Sequence, residues 1–125
     1  MATNETFVQE YIETWSTTDD AKRDALVAKL YADNATFYAA EPGDEAIDVH
    51  GHEAIAGNIK HVNVRDIQGH GVRNRLVDFA VNHDMTKVSW QMIAPNGAVV
   101  VNGTSVLLLD EDGRISRDYI FVSKV

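Results

Sequence analysis

Polar side chains gather on one side of the last predicted strands, and Asp118 is the residue among them best suited to chemistry. If the last hairpin loop has four residues, Ser105 lies directly opposite Asp118, and cross-strand partners point to the same side of a sheet. Continuing this register through the preceding tight hairpin adds Ser89 and Gln91 to the same side. A carboxyl group in mostly apolar surroundings has a raised pKa, which suits proton transfer near neutral pH. The pattern predicts a small-molecule pocket with Asp118 as general acid or base. The alternatives are that Asp118 pairs with Arg117, Arg114 or another cation, or that it sits at an open rim.

The opposite side of the same strands is mainly apolar and aromatic. We predict that it carries Val88, Trp90, Met92, Val106, Leu108, Ile115, Tyr119 and Phe121. Such a face suits contact with a partner subunit. A bulge near Gly103 would exchange the two sets on the first hairpin, because a shift of one residue turns every side chain to the other face.

Two further residue types could take part in a site. Tyr11 lies on the apolar stripe of the first predicted helix, where its hydroxyl could donate to a ligand or to an acceptor in the core. The five histidines lack the spacing that gives zinc three or four converging ligands, and we place only His61 near the pocket mouth. With no cysteine and no glycine-rich phosphate loop, we predict neither a metal nor a cofactor.

The chain is acidic, with 19 Asp and Glu against 11 Lys and Arg and a formal charge of −8. Phosphate backbones repel such a surface, so we exclude nucleic acid as a partner. The polar N-terminus lacks the apolar core of a signal peptide, and no apolar run has the length of a membrane span. We therefore expect a soluble, cytoplasmic protein in which residues 1–125 form one domain.

Three helical patterns occupy the first half of the chain. The first covers residues 5–15, with apolar positions at i, i+3, i+4 and i+7. The second begins near residues 18–20, whose side chains can cap free amide groups, and is broken at 33–34. The third covers residues 52–61. The inward-facing residues include Tyr11 and Trp15 on the first helix, Leu30 and Tyr31 on the second, and Ile55 and Ile59 on the third.

Strand patterns fill most of the rest. Short strands are predicted at residues 35–40 and 47–50, around a loop at 41–45, and long strands at 72–81, 87–94, 98–109 and 114–122. Pro95, Asn96 and Gly97 are a strong hairpin signal between two of the long strands. Helices first and a meander of strands afterwards indicate an α+β fold, with N-terminal helices packed on one face of an antiparallel sheet.

Four short segments match a known family pattern in order and spacing: YIETW at 11–15, LYADNATF at 30–37, GHEAI at 51–55, and DGRI followed by RDY within 112–119. Through them the chain resembles the SnoaL-like, or nuclear transport factor 2-like, superfamily over nearly its whole length. The resemblance implies a cone of helices over a strongly curved antiparallel sheet that encloses a deep apolar pocket. It also implies pairing as homodimers.

Resemblance to individual enzymes of this superfamily is partial. Asp118 matches the aspartate of a similar Arg-Asp-Tyr segment that, in limonene-type epoxide hydrolases and related cyclases, enters the cavity as an acid or base. Ketosteroid isomerases are similar at Tyr11, but Ala39 and Ser105 stand where their base and acid belong. The Arg-x-Asp pair of the epoxide hydrolases is replaced by Ser-Trp-Gln at residues 89–91.

We therefore expect binding of a small hydrophobic molecule in an apolar cavity, and leave open whether the chain is an enzyme. If it is, a cofactor-independent cyclase, isomerase or dehydratase fits a single carboxylate, Asp118. The alternatives are a non-catalytic binding protein and a dimeric interaction module without a ligand. The expected ligand contacts are Tyr11, Trp15, Phe37, Ile55, Ile59, His61, Ser89, Gln91, Ser105, Leu107 and Ile120.

Overall fold

The structure is a computed structural model that describes residues 4–40 and 45–124. The predicted loop at 41–45 lies, apart from its last residue, outside the described residues. The helices are α1 (Asn4–Ser16), α2 (Asp20–Leu30) and α3 (His52–Val62), and α3 continues into a π-helical segment, Asn63–Gln68. Asp19 caps α2, because its side chain accepts a hydrogen bond from the backbone N–H of Lys22 at 3.2 Å.

The strands are β1 (Tyr31–Ala40), β2 (Ile47–His50), β3 (Arg73–Asn82), β4 (Met85–Ile93), β5 (Val99–Leu109) and β6 (Ile115–Lys124). They form one six-stranded sheet in the order β2-β1-β6-β5-β4-β3. Neighbouring strands are antiparallel except β1 and β6, which are parallel, so the sheet is mixed. The predicted α+β class, with helices packed on a sheet, is confirmed.

The junction of α2 and β1 differs from the prediction. Tyr31 is not the last residue of the helical stripe but the first residue of β1, with extended backbone angles of φ −99° and ψ 138°. The guanidinium of Arg114 donates to the backbone carbonyls of Ala28 and Tyr31 at 2.8 and 2.7 Å. These bonds satisfy carbonyl oxygens that the end of a helix leaves without partners, and the chain enters the sheet with no loop.

Two extra residues alter which side chains share a face. In the β4–β5 pair, Met92 faces Val101 while Ile93 faces Val99, so Val100 is an inserted residue that forms a bulge. Because of the bulge, each side chain of β4 lies on the face opposite to the predicted one. Trp90, Met92 and Val88 therefore point toward the helices. In the β5–β6 pair Ser116 is inserted in the same way. This insertion buries Ile115, which was predicted on the outer face.

Beyond the inserted Ser116, the last hairpin keeps its predicted faces. Leu107 lies opposite Asp118, and Ser105 lies opposite Ile120. The prediction paired Ser105 directly with Asp118, which is an error of two residues, and a shift of two leaves each side chain on its own side of the sheet.

The core lies between the helices and this face of the sheet. Its fully buried side chains include Val8, Tyr11, Val27, Phe37, Ile55, Ile59, Val88 and Leu107. Among the described residues, no helix is long and apolar enough to cross a membrane.

Candidate functional site

A cavity of about 880 Å³ lies beside the core, lined by residues of α1, the α3 region and the sheet. Its walls are largely aliphatic and aromatic. The apolar lining residues include Ile12, Trp15, Phe37, Trp90, Met92, Ile120 and Val122. Pockets of this size and character in proteins hold small organic molecules.

The polar lining residues are concentrated along one edge. Apart from Tyr11 and Glu45, they all come from the stretch 58–74, which contains the π-helical segment. His61, Arg65 and His70 in this stretch are exposed to solvent and mark the mouth of the cavity. Asn74, at the end of the stretch, differs from them, because its Oδ1 atom is buried and has no hydrogen-bond partner among the described residues. An occupant would have apolar surroundings inside and polar groups at the entrance.

A buried cluster of hydrogen bonds connects Tyr11 to residues of the sheet. Tyr11 and Trp90 are the members of this cluster that line the cavity. Asp118 on β6 is fully buried. The hydroxyl of Tyr31 lies 2.6 Å from Asp118 Oδ2, and the hydroxyl of Tyr11 lies 3.0 Å from Oδ2 and 3.2 Å from Oδ1. Ser105 Oγ on β5 is 2.8 Å from the Tyr11 hydroxyl. One carboxyl is therefore held by two tyrosines from different elements.

Burial raises the pKa of Asp118 to about 7, although the hydrogen bonds from Tyr31 and Tyr11 act in the opposite direction. Burial and the charge of Asp118 raise the pKa of Tyr11 and of Tyr31 well above the ordinary value. Both phenols are therefore protonated near neutral pH, and Asp118 is the group of the cluster that can exchange a proton there.

The predicted alternatives for Asp118 are wrong. It is fully buried and so does not sit at an open rim, and among the described residues no ion pair includes it. Arg114 instead lies 3.2 Å from Asp33 and binds backbone carbonyls. Arg117 is exposed.

Trp90 completes the cluster from the cavity wall. Its indole N–H donates to Ser105 Oγ at 3.0 Å. The six-membered ring of the indole lies directly against Gly103 on β5, where an added Cβ would overlap it. Gly103 thus provides the space that lets Trp90 lie flat across β5 and reach Ser105.

Trp15 on α1 is the second indole at the cavity. Its ring packs against Phe37 with centroids 5.6 Å apart. The Nε1 atom is buried and forms no hydrogen bond with the described residues. It lies near enough to the hydroxyls of Tyr11 and Tyr31 to lower the pKa of each, but outside hydrogen-bond geometry.

The predicted site residues fall into three groups in space. Tyr11, Trp15, Phe37, His61 and Ile120 line the cavity. Asp118 and Ser105 lie behind Tyr11, in contact with its hydroxyl. Ile55, Ile59 and Leu107 are fully buried in the core and are not part of the lining.

Ser89 and Gln91 lie on the opposite face of the sheet, so their predicted position in the pocket is wrong. The bulge at Val100 is the reason, since it reverses the alternation along β4. Gln91 instead bonds across the outer face to Arg75 on β3 and to Asn102 on β5. The same reversal removes Trp90 and Met92 from the predicted outer face and places them in the cavity wall.

Two members of the cluster were not predicted for it. Tyr31 was assigned to a helix, and nothing in its neighbours along the chain indicates a carboxylate 87 residues away. Trp90 had a usable signal, because a glycine inside a strand often marks a close approach by another group. Gly103 is that glycine.

The histidines make local contacts. His50 Nδ1 lies 2.7 Å from the hydroxyl of Thr36, and His52 Nε2 lies 2.8 Å from the backbone oxygen of Tyr31. Within residues 4–40 and 45–124, no group of three or more His, Cys, Asp or Glu side chains is arranged to hold a metal ion.

Comparison with known proteins places this geometry in a family. The SnoaL-like domain matches residues 8–118. The chain belongs to the SnoaL-like family. No curated protein matches the sequence of this SnoaL-like chain.

Solved structures share the fold over almost their full length. An Agrobacterium tumefaciens protein, named a "putative isomerase of the SnoaL-like family", is 28% identical with a TM-score of 0.80, covering 95% of this chain and 96% of its own. A Sinorhizobium meliloti protein, named a "putative polyketide cyclase", is 19% identical with a TM-score of 0.63, covering 92% of this chain and 93% of its own. A Catenulispora acidiphila protein with a ketosteroid isomerase-like fold, in complex with trimethylamine, is 14% identical with a TM-score of 0.69, covering 95% of this chain and 86% of its own. The last two likenesses concern the fold alone.

Proposed function

We propose that this SnoaL-like protein binds a small hydrophobic molecule in its cavity. The observation that carries the proposal is a cavity of about 880 Å³ whose walls are largely apolar and aromatic and include Tyr11 and Trp90. Burying a ring system against such walls is favourable by roughly 25 cal/mol per Å² of apolar surface removed from water. A polar end of the ligand would contact the polar residues of 58–74 that line the cavity.

Acid–base catalysis is a second candidate, and the Asp118 cluster is the observation that favours it. A pKa of about 7 makes Asp118 able to both give and accept a proton near neutral pH. Tyr11 separates Asp118 from the cavity, so Tyr11 would touch the substrate while Asp118 stores the proton behind it. Cyclisation, isomerisation and dehydration all need such a transfer and no cofactor. The name of the Agrobacterium protein, an isomerase, agrees with this class of reaction.

Thermal unfolding with added ligands tests the binding proposal. A ligand that binds only the folded state raises the melting temperature, so terpenoids, steroids and aromatic polyketides that fit the cavity are expected to do so. Ile120→Arg places a charge in the cavity wall and should abolish the shifts, whereas Ser89→Arg on the outer face should keep them. No shift with any of these compounds would favour an interaction module without a ligand.

Asp118→Asn separates binding from catalysis. For any compound that wild-type protein converts, we expect loss of turnover with ligand-induced thermal shifts retained, because Asn cannot exchange the proton. Ser89→Ala, on the other face of the sheet, is the control and should turn over normally. Unchanged turnover in Asp118→Asn would remove the acid–base role and leave ligand binding.

A homodimer is proposed from the outer face of the sheet. With Trp90 and Met92 in the cavity wall, the aromatic residues that remain outside are Tyr38 and Tyr119, stacked at 4.7 Å between centroids, and Phe121, which is 57% exposed. Sedimentation of a single monomeric species at micromolar concentration would refute a dimer. A cytoplasmic location and a single domain over residues 1–125 also stay proposals.

A further inference from the structure

Asn74 is a polar residue of the cavity wall that lies beside apolar neighbours. It is on β3, directly opposite Met92 of β4, and both Met92 and Val72 line the same cavity. The side chain carries a hydrogen-bond donor, Nδ2, and an acceptor, Oδ1. Nδ2 donates to Ser16 Oγ on α1 at 3.3 Å, whereas Oδ1 is buried and has no partner among the described residues.

The orientation of this amide follows from its contact with Ser16, because the oxygen and nitrogen of an asparagine are told apart by their hydrogen-bond partners. Ser16 Oγ has one hydrogen, which it donates to the backbone oxygen of Ile12 at 2.8 Å. Toward Asn74 the serine can therefore only accept, so the atom that faces it is the donor, Nδ2. The atom without a partner is then Oδ1, and it lacks a donor.

Asn63 is a second buried amide, and both of its polar atoms have partners. Its Nδ2 donates to the backbone oxygens of Trp15 and Thr17 at 2.9 and 3.0 Å, and its Oδ1 accepts from Gln68 at 2.9 Å. A buried acceptor without a donor reduces stability. Asn74 therefore has a cost that Asn63 does not have, and an apolar side chain of similar size would avoid it.

We propose that the missing donor belongs to the ligand: Asn74 Oδ1 accepts a hydrogen bond from a hydroxyl group, so that the cavity selects hydrophobic molecules with a neutral hydroxyl, such as phenols and alcohols. The bond from Nδ2 to Ser16 is long, and χ2 of asparagine is a soft torsion, so rotation of the amide brings Oδ1 to the cavity. Ketones, ethers and carboxylates have no hydrogen to donate. This inference rests on the ligand-binding function proposed above and adds the chemical group that is recognised.

Trp15 also lines the cavity and also has a buried polar atom that forms no hydrogen bond with the described residues. Its Nε1 is a donor, so it would meet an acceptor atom of the ligand. Asn74 Oδ1 would meet a donor hydrogen. Two probes that share an oxygen and differ in the hydrogen on it therefore test Asn74 without changing what Trp15 could bind.

The test compares β-naphthol with its methyl ether, which have the same ring system and the same oxygen but differ in the donor hydrogen. Both are neutral near pH 7, as the phenol of tyrosine is, and both are small enough to turn within about 880 Å³. Their dissociation constants are measured by equilibrium dialysis. We expect the ratio of the ether constant to the naphthol constant to be about tenfold higher for wild-type protein than for Asn74→Leu, which is the size of one hydrogen bond.

Two further variants separate the acceptor from other effects of substitution. Asn74→Asp keeps an acceptor and should keep the preference for naphthol. Asn102→Leu makes the same replacement as Asn74→Leu on the exposed outer face of the sheet and should keep the wild-type ratio. Circular dichroism confirms that each variant is folded. A comparison without variants uses the partition of both probes into cyclohexane, which offers the hydroxyl no acceptor, and we expect the wild-type ratio to exceed the cyclohexane ratio by about tenfold.

The outcomes separate the inference from the function on which it rests. Equal ratios in wild-type protein and Asn74→Leu, or a wild-type ratio no higher than the cyclohexane ratio, would overturn the role of Asn74 and leave ligand binding intact. Loss of the naphthol preference in Asn74→Asp or in Asn102→Leu would do the same. Failure of both probes to bind would count against the ligand-binding function, and the role of Asn74 would fall with it.

Discussion

Replacing Asp118 with Asn should alter how stability depends on pH. Burial moves the pKa of Asp118 from 3.8 to about 7, so between these values the folded state holds a proton that the unfolded chain has lost. Stability contributed by the neutral carboxyl is therefore complete below about pH 4 and is lost as the pH rises to about 7. At about 1.4 kcal/mol per pKa unit, the loss reaches about 4 kcal/mol, and about 3 kcal/mol of it falls between pH 5 and pH 8. Because an Asn side chain does not titrate, the variant does not lose this stability as the pH rises.

Urea unfolding of wild-type protein and Asp118→Asn at about pH 5 and about pH 8 measures the effect, since the other titrating groups are common to both proteins. We expect the variant to gain about 3 kcal/mol relative to wild type over this range, whatever its offset at pH 5. A difference between the two proteins that does not change with pH would refute the reasoning, and Asp118 would then have an ordinary pKa in spite of its burial.

Three further substitutions test the packing around the cluster by urea unfolding. Gly103→Ala forces the Trp90 ring off β5 and should cost about 1–3 kcal/mol, with a shift in tryptophan fluorescence that Gly97→Ala in a hairpin turn does not share. Ser105→Ala leaves the partly buried indole N–H of Trp90 without its acceptor and should cost about 1–3 kcal/mol; no cost would mean that Trp90 finds another partner. Arg114→Met removes bonds to the α2 carbonyls and should cost about 1–2 kcal/mol, an effect absent from exposed Arg73→Met.

Helix positions and the fold class were predictable because their signals are local. The apolar spacing in residues 5–15 and the capping group at Asp19 act within one or two turns, and α1 and α2 occur where these signals indicate. The parallel pairing of β1 with β6 joins distant parts of the chain. The hairpin signals of the sequence say nothing about such a pairing.

Tyr31 shows the limit of predicting conformation from neighbouring residues in the sequence. Its spacing from Val27 fits a helical stripe, but its backbone is extended and it belongs to β1. What decides its conformation is distant: the guanidinium of Arg114 binds its carbonyl, and Asp118 binds its hydroxyl. Tertiary contacts of this kind override a helical pattern that is only one turn long.

The single inserted residue at Val100 has the largest consequence for the site. Without it, Gln91 and Ser89 would face the helices, and the cavity would hold several polar groups competing for a ligand or for Asp118. With it, β4 presents Trp90, whose N–H is already committed to Ser105. The bulge therefore replaces free polar groups with an apolar wall and fixes the serine that bonds to Tyr11. The polar groups that the cavity wall keeps include the hydroxyl of Tyr11, which is bonded to Ser105 and Asp118, and the indole N–H of Trp15, which has no partner among the described residues.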